Sequence, residues 1–465
     1  MALQPRSISS SYAGRTGGRL REYWGAAIAI GALLCLAVVF GGGGVRYALA
    51  NLLVQLSALA LLAIRRDAVI AFWREAPAIL RLLIVLSVAV PVSQLIPLPQ
   101  SVWSDLPGRD LVAQSFELSG RTGWAPASVD PVRTLVALTG LIVPIAIISA
   151  GWTLSRDNLV LLTWIIVALG LANLLIGIPQ VLSEGSAGAI YTERGLTSIL
   201  NGTFANRNST GLFFVAAIGF AALAPSPVAH PAILPTRIAL CVLLSTGVIL
   251  TQSRTALALA VLPLGLAALR AITWTMHSRA TGISGFSKRM RTMLVAGLAL
   301  ALGALAATVV MAPGRVGDTM ERFQSIGESR SYTWEDTAFA ARRYWPVGAG
   351  MGTFDEVFQV DESLENATLK RPGRAHNDYL EVAVEAGIAG LALIAIWLAY
   401  LAWLTLRARK SPFRWCAWAG SAILFGVALQ SITDYPLRNQ AMLAVASFAL
   451  LVLVRLGSEK VERDA

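Results

Sequence analysis

Charge and sulfur are scarce in this chain. Of its 465 residues only 14% are charged, 55% are hydrophobic, and the mean hydropathy is +0.63. So few charges cannot solubilise one globular surface of this size, which excludes a water-soluble domain and makes the bilayer the solvent. Cys35, Cys241 and Cys416 lie in or beside apolar runs, without CxxC spacing or nearby histidines. That excludes a disulfide framework and leaves them as small packing residues. No Asp-x-Asp pair occurs, so a nucleotide sugar held by a metal has no ligands. Gly348-Ala349-Gly350-Met351-Gly352 has no preceding strand and no Lys-Ser or Lys-Thr after a glycine. It reads as a tight turn after Trp345-Pro346, not as a nucleotide loop. Alternating segments of about ten residues, the mark of a membrane β-barrel, are missing as well. No internal repeat is visible.

Long apolar runs are present instead. Met293–Ala312 has the ~20 residues a helix needs to cross about 30 Å of hydrocarbon. Spans are expected near 24–40, 47–64, 79–96, 133–153, 159–181, 209–224, 237–252, 255–273, 292–312, 378–406, 414–432 and 439–456. The expected fold is therefore all-α, a polytopic transmembrane bundle of about twelve helices. The apolar stretch after residue 23 ends in Gly41–Gly44 without an Ala-x-Ala site, so it reads as an uncleaved first helix. Lys and Arg total 38 against 27 Asp and Glu. In a membrane chain this excess orients loops and does not call for nucleic acid. With the tail 1–23 inside, the inner loops hold Arg65, Arg66, Arg74, Arg81, Arg279, Lys288, Arg407, Arg409 and Lys410. Both termini, the second being 457–465, are thus expected in the cytoplasm. Membrane helices then occupy 24–312 and 378–456, and the outer side receives 97–132, 182–208 and 313–377. The last is large enough for a subdomain, between the ninth and tenth spans. Its own basic residues, among them Arg315, Arg322, Arg330, Arg342, Arg343 and Arg374, ask for an anionic partner.

His230 and His277 read as solvated side chains of short inner loops. His376 differs, because it stands where the outer loop meets a span, beside Asn377, Asp378 and Glu381. Helical spacing puts Asp378, Glu381 and Glu385 near one face, and Glu385 would enter the bilayer unless it faced a polar cavity. Two readings stand side by side. One is a capped helix start, with Asn377 or Asp378 as N-cap and Glu381 completing a capping box. The other is an imidazole placed to take a proton from a hydroxyl nucleophile. Arg254, in Thr251-Gln252-Ser253-Arg254-Thr255, is either a snorkelling side chain or a guanidinium fork for a diphosphate at headgroup level. Arg194 and Arg207 admit the same pair of readings.

Together these stretches resemble the O-antigen ligase and polymerase superfamily of bacterial membrane glycosyltransferases. The strongest likeness is His376-Asn377 followed, after nine residues, by Gly387-Ile388-Ala389-Gly390. Gly202-Thr203-Phe204-Ala205-Asn206-Arg207-Asn208, Ser253-Arg254-Thr255 and Arg330-Ser331-Tyr332-Thr333-Trp334 resemble further blocks in the same order. The likeness spans roughly residues 190 to 455; the first half is similar only as a hydrophobic pattern, and Arg207 stands where many members have proline. The resemblance implies transfer of a glycan from an undecaprenyl-diphosphate carrier to an acceptor hydroxyl on the periplasmic face of the inner membrane, without cofactor, nucleotide or metal. It assigns His376 as base or acceptor-positioning group and Arg254, Arg330 and Arg194 to the diphosphate, with Asn377, Asp378 and Glu381 in support. The acceptor would be lipid A core, for a ligase, or a second lipid-linked glycan, for a polymerase. A twelve-helix transporter is the reading from another class. Such proteins often carry repeat symmetry and a long middle loop inside, whereas this chain has its longest loop outside.

Overall fold

The computed structural model describes residues 12–280 and 328–459 together with Thr292, apart from positions 184, 186, 189, 192–198, 228, 229, 231, 366 and 368–371. The first half runs through α1 (Tyr12–Phe40), α2 (Ala48–Ile64), α3 (Arg66–Glu75), α4 (Ala78–Leu95), the short α5 (Gln100–Trp103) and α6 (Asp110–Leu118), α7 (Pro131–Gly140), α8 (Ile142–Ala150) and α9 (Arg156–Leu182). The second continues with α10 (Arg207–Leu223), α11 (Ile233–Leu250), α12 (Arg254–Leu259), α13 (Val261–Ala280), α14 (Glu328–Arg343), α15 (Phe354–Asp361), α16 (Asp378–Ala408), α17 (Arg414–Gln430) and α18 (Gln440–Gly457). One antiparallel pairing, Pro97–Leu98 with Ala125–Pro126, is the only sheet among the described residues. Helix is what an apolar run must form in hydrocarbon, because only there are its own amides all satisfied.

Among the described residues eight helical stretches are long and apolar enough to cross a membrane, or nine if α2 and α3, bent by 78° at Arg65, form one broken span. The expectation of about twelve is thus met only in part. Two expected spans, α10 and α17, are helices of 17 residues, short of that length. The run at 292–312 lies outside the described residues, Thr292 excepted. His277 lies on α13, in place of the loop expected for it.

The core holds one of the two short helices. α10 is buried on every side from Ser209 to Ala221, packed by α9, α11, α13 and α17, and α18 is enclosed by α1, α8 and α17. Leu49, Leu56, Leu82 and Val85 on α2 and α4 point outward, as lipid-facing side chains do. A second, smaller core of Ala340, Tyr344, Ala349, Phe354, Val357, Phe358, Ala375 and Val384 joins α14 and α15 to the first turns of α16.

The bundle has two distinguishable ends. At one, Leu200 N–H donates to the Leu250 carbonyl and Ala205 N–H to that of Gly42, so the beginnings of α10 and α12 meet the end of α1. At the other, Arg65 reaches Thr153 and Ser411 reaches the Leu456 carbonyl. His376, Asn377, Asp378, Glu381 and Arg254 belong to the first end.

Candidate active site

Among the described residues, four helices that begin at this end are capped by a short polar side chain. Asn206 accepts from Asn208 N–H, Ser253 from Ala256, Asn377 from Tyr379 and Leu380, and Asn439 from Met442. The caps are tied to one another. Ser253 Oγ donates to Asn208 Oδ1 at 2.8 Å, Asn439 Nδ2 to Ser209 Oγ at 3.3 Å, and Asp378 N–H to the Ser431 carbonyl at 2.8 Å. Converging N-termini give the region a positive field that favours anions.

His376 stands among them. Its Nδ1 is 3.4 Å from Asp434 Oδ1, and its ring tilts against Tyr435 with centroids 5.0 Å apart. The Asp434 carboxylate also accepts from Asn208 Nδ2 at 2.6 Å and Asn206 Nδ2 at 3.1 Å. Burial pushes this carboxyl up, but the His376 imidazole and the Asn208 amide more than offset it, so Asp434 lies below its ordinary range. The 3.4 Å contact lies outside hydrogen-bond geometry; an ionised carboxylate only accepts, so were the two to close up, the hydrogen would sit on Nδ1 and the Nε2 lone pair would be turned away. The His376 side chain is 37% exposed, so that nitrogen can be approached. The backbone of His376 has φ +52°, a left-handed conformation that few non-glycine residues adopt and that is characteristic of functional sites.

Beneath the histidine lies a buried ionic cluster. Arg438 Nε is 3.2 Å from Asp378 Oδ1, and its Nη2 is 3.3 Å from Glu381 Oε1 and 2.9 Å from Glu385 Oε2. Arg374 adds a 2.6 Å bond to Glu381. The helical spacing therefore does bring the three carboxylates together, around one guanidinium. Burial alone would weaken the charge on Arg438; Glu381, Glu385 and Asp378 reverse that and raise its pKa above the ordinary value. Asn377 is the N-cap, as one sequence reading had it, but Glu381 does not complete a capping box. It lies one residue too far along the helix, and it accepts from Ala375 N–H at 3.1 Å instead.

The glycine-rich segment explains Gly387. Gly348, Gly350 and Gly352 all have positive φ, as the tight-turn reading requires. The turn docks on a break in α16: Ala349 N–H donates to the Val384 carbonyl and Gly350 N–H to that of Glu385, both at 2.8 Å, and Ile388 N–H to that of Pro346 at 3.0 Å. At the break Gly387 has φ +51° and ψ −140°, and a Cβ there would run into the Pro346 carbonyl oxygen. Gln94 Nε2 donates to the Glu385 carbonyl and its Oε1 accepts from Met351 N–H, each at 2.8 Å. Arg109, buried, binds the carbonyls of Pro107, Ala127 and Gly348. Its desolvation lowers its pKa to about 10.

Of the residues named from sequence, His376, Asn377, Asp378 and Glu381 fall together here. Arg254 is the first residue of α12, between Ser253 and Thr255, which contact Asn208 and Thr433. Arg330 lies on α14, and Arg194 is outside the described residues. Sequence reasoning missed Asp434, Arg438, Asn206 and Asn208 as partners of this cluster. The signal for the first two was a polar step, Thr433-Asp434-Tyr435-Pro436, between two apolar runs.

Among curated proteins none matches the chain. The family model described as O-antigen ligase matches residues 239–395, from α11 into α16, with Arg254, His376, Glu385 and the Gly387 break inside it. Over that stretch the chain is similar to the O-antigen ligase family, which supports the resemblance read from its sequence.

Proposed function

We propose that this protein is an inner-membrane glycosyltransferase that moves a glycan from undecaprenyl diphosphate to an acceptor hydroxyl at the periplasmic face, with both termini in the cytoplasm. The observation that carries the reading is the His376–Asp434 pair, 3.4 Å apart, set among four capped helix N-termini within a chain of O-antigen ligase type. His376 Nε2 takes the acceptor O–H proton while the acceptor oxygen bonds to the anomeric carbon. The bond from that carbon to the diphosphate breaks, and its electron pair leaves on the diphosphate oxygen. Developing charge there is met by the helix N-termini and by Arg254, with Arg330 and Arg194 as further guanidiniums from the outer segments. Asn377, Asp378 and Glu381 support the histidine by fixing the start of α16. The acceptor on this reading is a lipid A core sugar; a polymerase would use a second lipid-linked glycan with the same machinery.

The test is His376→Ala in a purified assay with a lipid-diphosphate donor. Transfer should fall by at least the 10²–10⁴-fold that a general base supplies, while the protein still inserts and accumulates. Wild-type turnover would remove both the base and the positioning role. In cells, deletion should leave long polymer on the carrier lipid; single repeats left there would mark a polymerase instead.

A further inference from the structure

The loop joining α1 to α2 lies outside residues 239–395, and nothing so far assigns it a role. Its glycines exist to let it into the site. A Cβ on Gly42 would fall on the Thr203 carbonyl, and one on Gly41 would come within 2.8 Å of Gln440 Cβ. The loop is thereby wedged between the start of α10 and the start of α18. Asn51 Nδ2 at 2.7 Å and Tyr47 N–H at 3.2 Å both donate to the Gly44 carbonyl, which holds the turn that presents Arg46. The Tyr47 ring then meets Tyr191 edge-on, centroids 4.5 Å apart.

Arg46 is exposed, and its Nη2 lies 3.5 Å from where a Cβ on Gly373 would stand. Gly373 is three residues before His376, so this guanidinium lies against the segment that delivers the histidine. Arg374 and Arg438 are close by in the fold, but both are ion-paired, to Glu381 and to Asp378, Glu381 and Glu385. Among the described residues no carboxylate is within ion-pair reach of Arg46. A cation in a short loop at the end carrying the active site also runs against the orientation rule that places Lys and Arg on the other face. We infer that Arg46 is a phosphate-binding residue of this site, gripping a diphosphate or phosphomonoester held at the level of His376.

This inference rests on the proposed lipid-diphosphate chemistry and names a ligand contact from the half of the chain outside the family match. Two sources present the same chemistry: the carrier diphosphate, or a phosphate on the acceptor. The full chain in phosphatidylcholine nanodiscs separates them, using undecaprenyl diphosphate as the binding probe and acceptors with and without phosphate for KM. Arg46→Ala should weaken undecaprenyl diphosphate binding about tenfold, with Arg46→Lys between it and wild type, because an ammonium keeps the charge but loses the fork. If binding is unchanged but KM rises about tenfold for the phosphorylated acceptor alone, the ligand is the acceptor phosphate and the inference stands. Equal losses for phosphorylated and phosphate-free acceptors, with probe binding unchanged, would mean a structural role and overturn it. No change in either, in a protein that His376→Ala inactivates, overturns Arg46 while the proposed function survives. A wild-type protein that neither binds the probe nor transfers glycan takes both down.

Discussion

The two ends of the bundle differ in how most of their arginines are satisfied. At the candidate-site end the buried Arg109 binds carbonyls, but three half-buried guanidiniums are answered by acids: Arg438 by Asp378, Glu381 and Glu385, Arg374 by Glu381, and Arg343 by Asp361 at 2.6 Å. At the opposite end they are answered by neutral groups. Arg237 binds the Ala221 carbonyl at 2.9 Å and the Ala224 carbonyl at 2.5 Å with its guanidinium over Trp164, and Arg270 binds Ala222 and Leu223. Arg455 lies over the Trp152 ring and Arg65 on the Thr153 hydroxyl. Pairing with acids spends the charge on holding one geometry; pairing with helix C-terminal carbonyls and aromatic faces satisfies the donors and keeps the charge. The first builds a site, and the second leaves a positive face of the kind that orients a membrane protein.

The sharpest break of that contrast is Arg438→Leu. It leaves three buried carboxylates around an apolar side chain, with only Arg374 remaining, and removing one partner of a buried ionic group costs about 3–5 kcal/mol. We expect loss of accumulation and a large drop in thermal unfolding midpoint in detergent. Adding Glu385→Gln should return part of the loss. If Arg438→Leu is no worse than a matched change at Arg237, the two ends do not differ as described.

Asp434→Asn tests the same end through chemistry. An amide can still meet Asn206 and Asn208 with one atom, but it no longer fixes a hydrogen on His376 Nδ1, so turnover should fall about 10²-fold, roughly 2.7 kcal/mol of barrier, with accumulation retained. Because Asp434 is held below its ordinary range, its stabilising contribution is present above the unfolded carboxyl value, about 4, and is lost as pH falls through the lower folded value. The wild type should lose stability along that acid limb, and Asp434→Asn should lack this part of it. An unchanged acid limb together with unchanged turnover would detach Asp434 from the histidine.

Gly387→Ala addresses how the site end is anchored. The residue has φ +51°, and the new methyl would collide with the Pro346 carbonyl, so strain and displacement together should cost about 2–3 kcal/mol. The damage should appear at the active site, as lowered turnover, because the docked turn carries the Glu385 carbonyl bonds. A stable, fully active variant would show that the break in α16 is dispensable.

The helices were legible in the sequence because apolar length alone decides them: each expected span that falls on described residues lies on a helix. The number that cross was not, because α10 is short yet buried on all sides, and burial inside the bundle looks in sequence the same as burial in lipid. In the site, His376, Asn377, Asp378 and Glu381 were legible because they are contiguous or one helical turn apart. Asp434 and Arg438 were not, since 58 residues separate His376 from Asp434 and only the packing of α16 against α17 and α18 brings them together. Arg254 could be found as a charge between apolar runs, but so could Arg237. A lone arginine in an apolar context carries no mark of whether acids or carbonyls await it.

That ambiguity makes Arg237→Ala the smallest and most discriminating change. α10 ends at Leu223 with its last carbonyls lacking helical partners, and Arg237 binds those of Ala221, Ala222 and Ala224. Arg270 also reaches the Ala222 and Leu223 carbonyls, so the loss is shared and should come to about 1–2 kcal/mol. Arg237→Lys should recover part of it, because one ammonium can serve a carbonyl without the fork that serves two. Neither variant should alter KM for donor or acceptor, as no contact of Arg237 involves the residues around His376. A change in KM without a change in unfolding midpoint would mean that the two ends are coupled through α10, whose first turn holds Asn208 against Asp434 and whose last turn Arg237 holds.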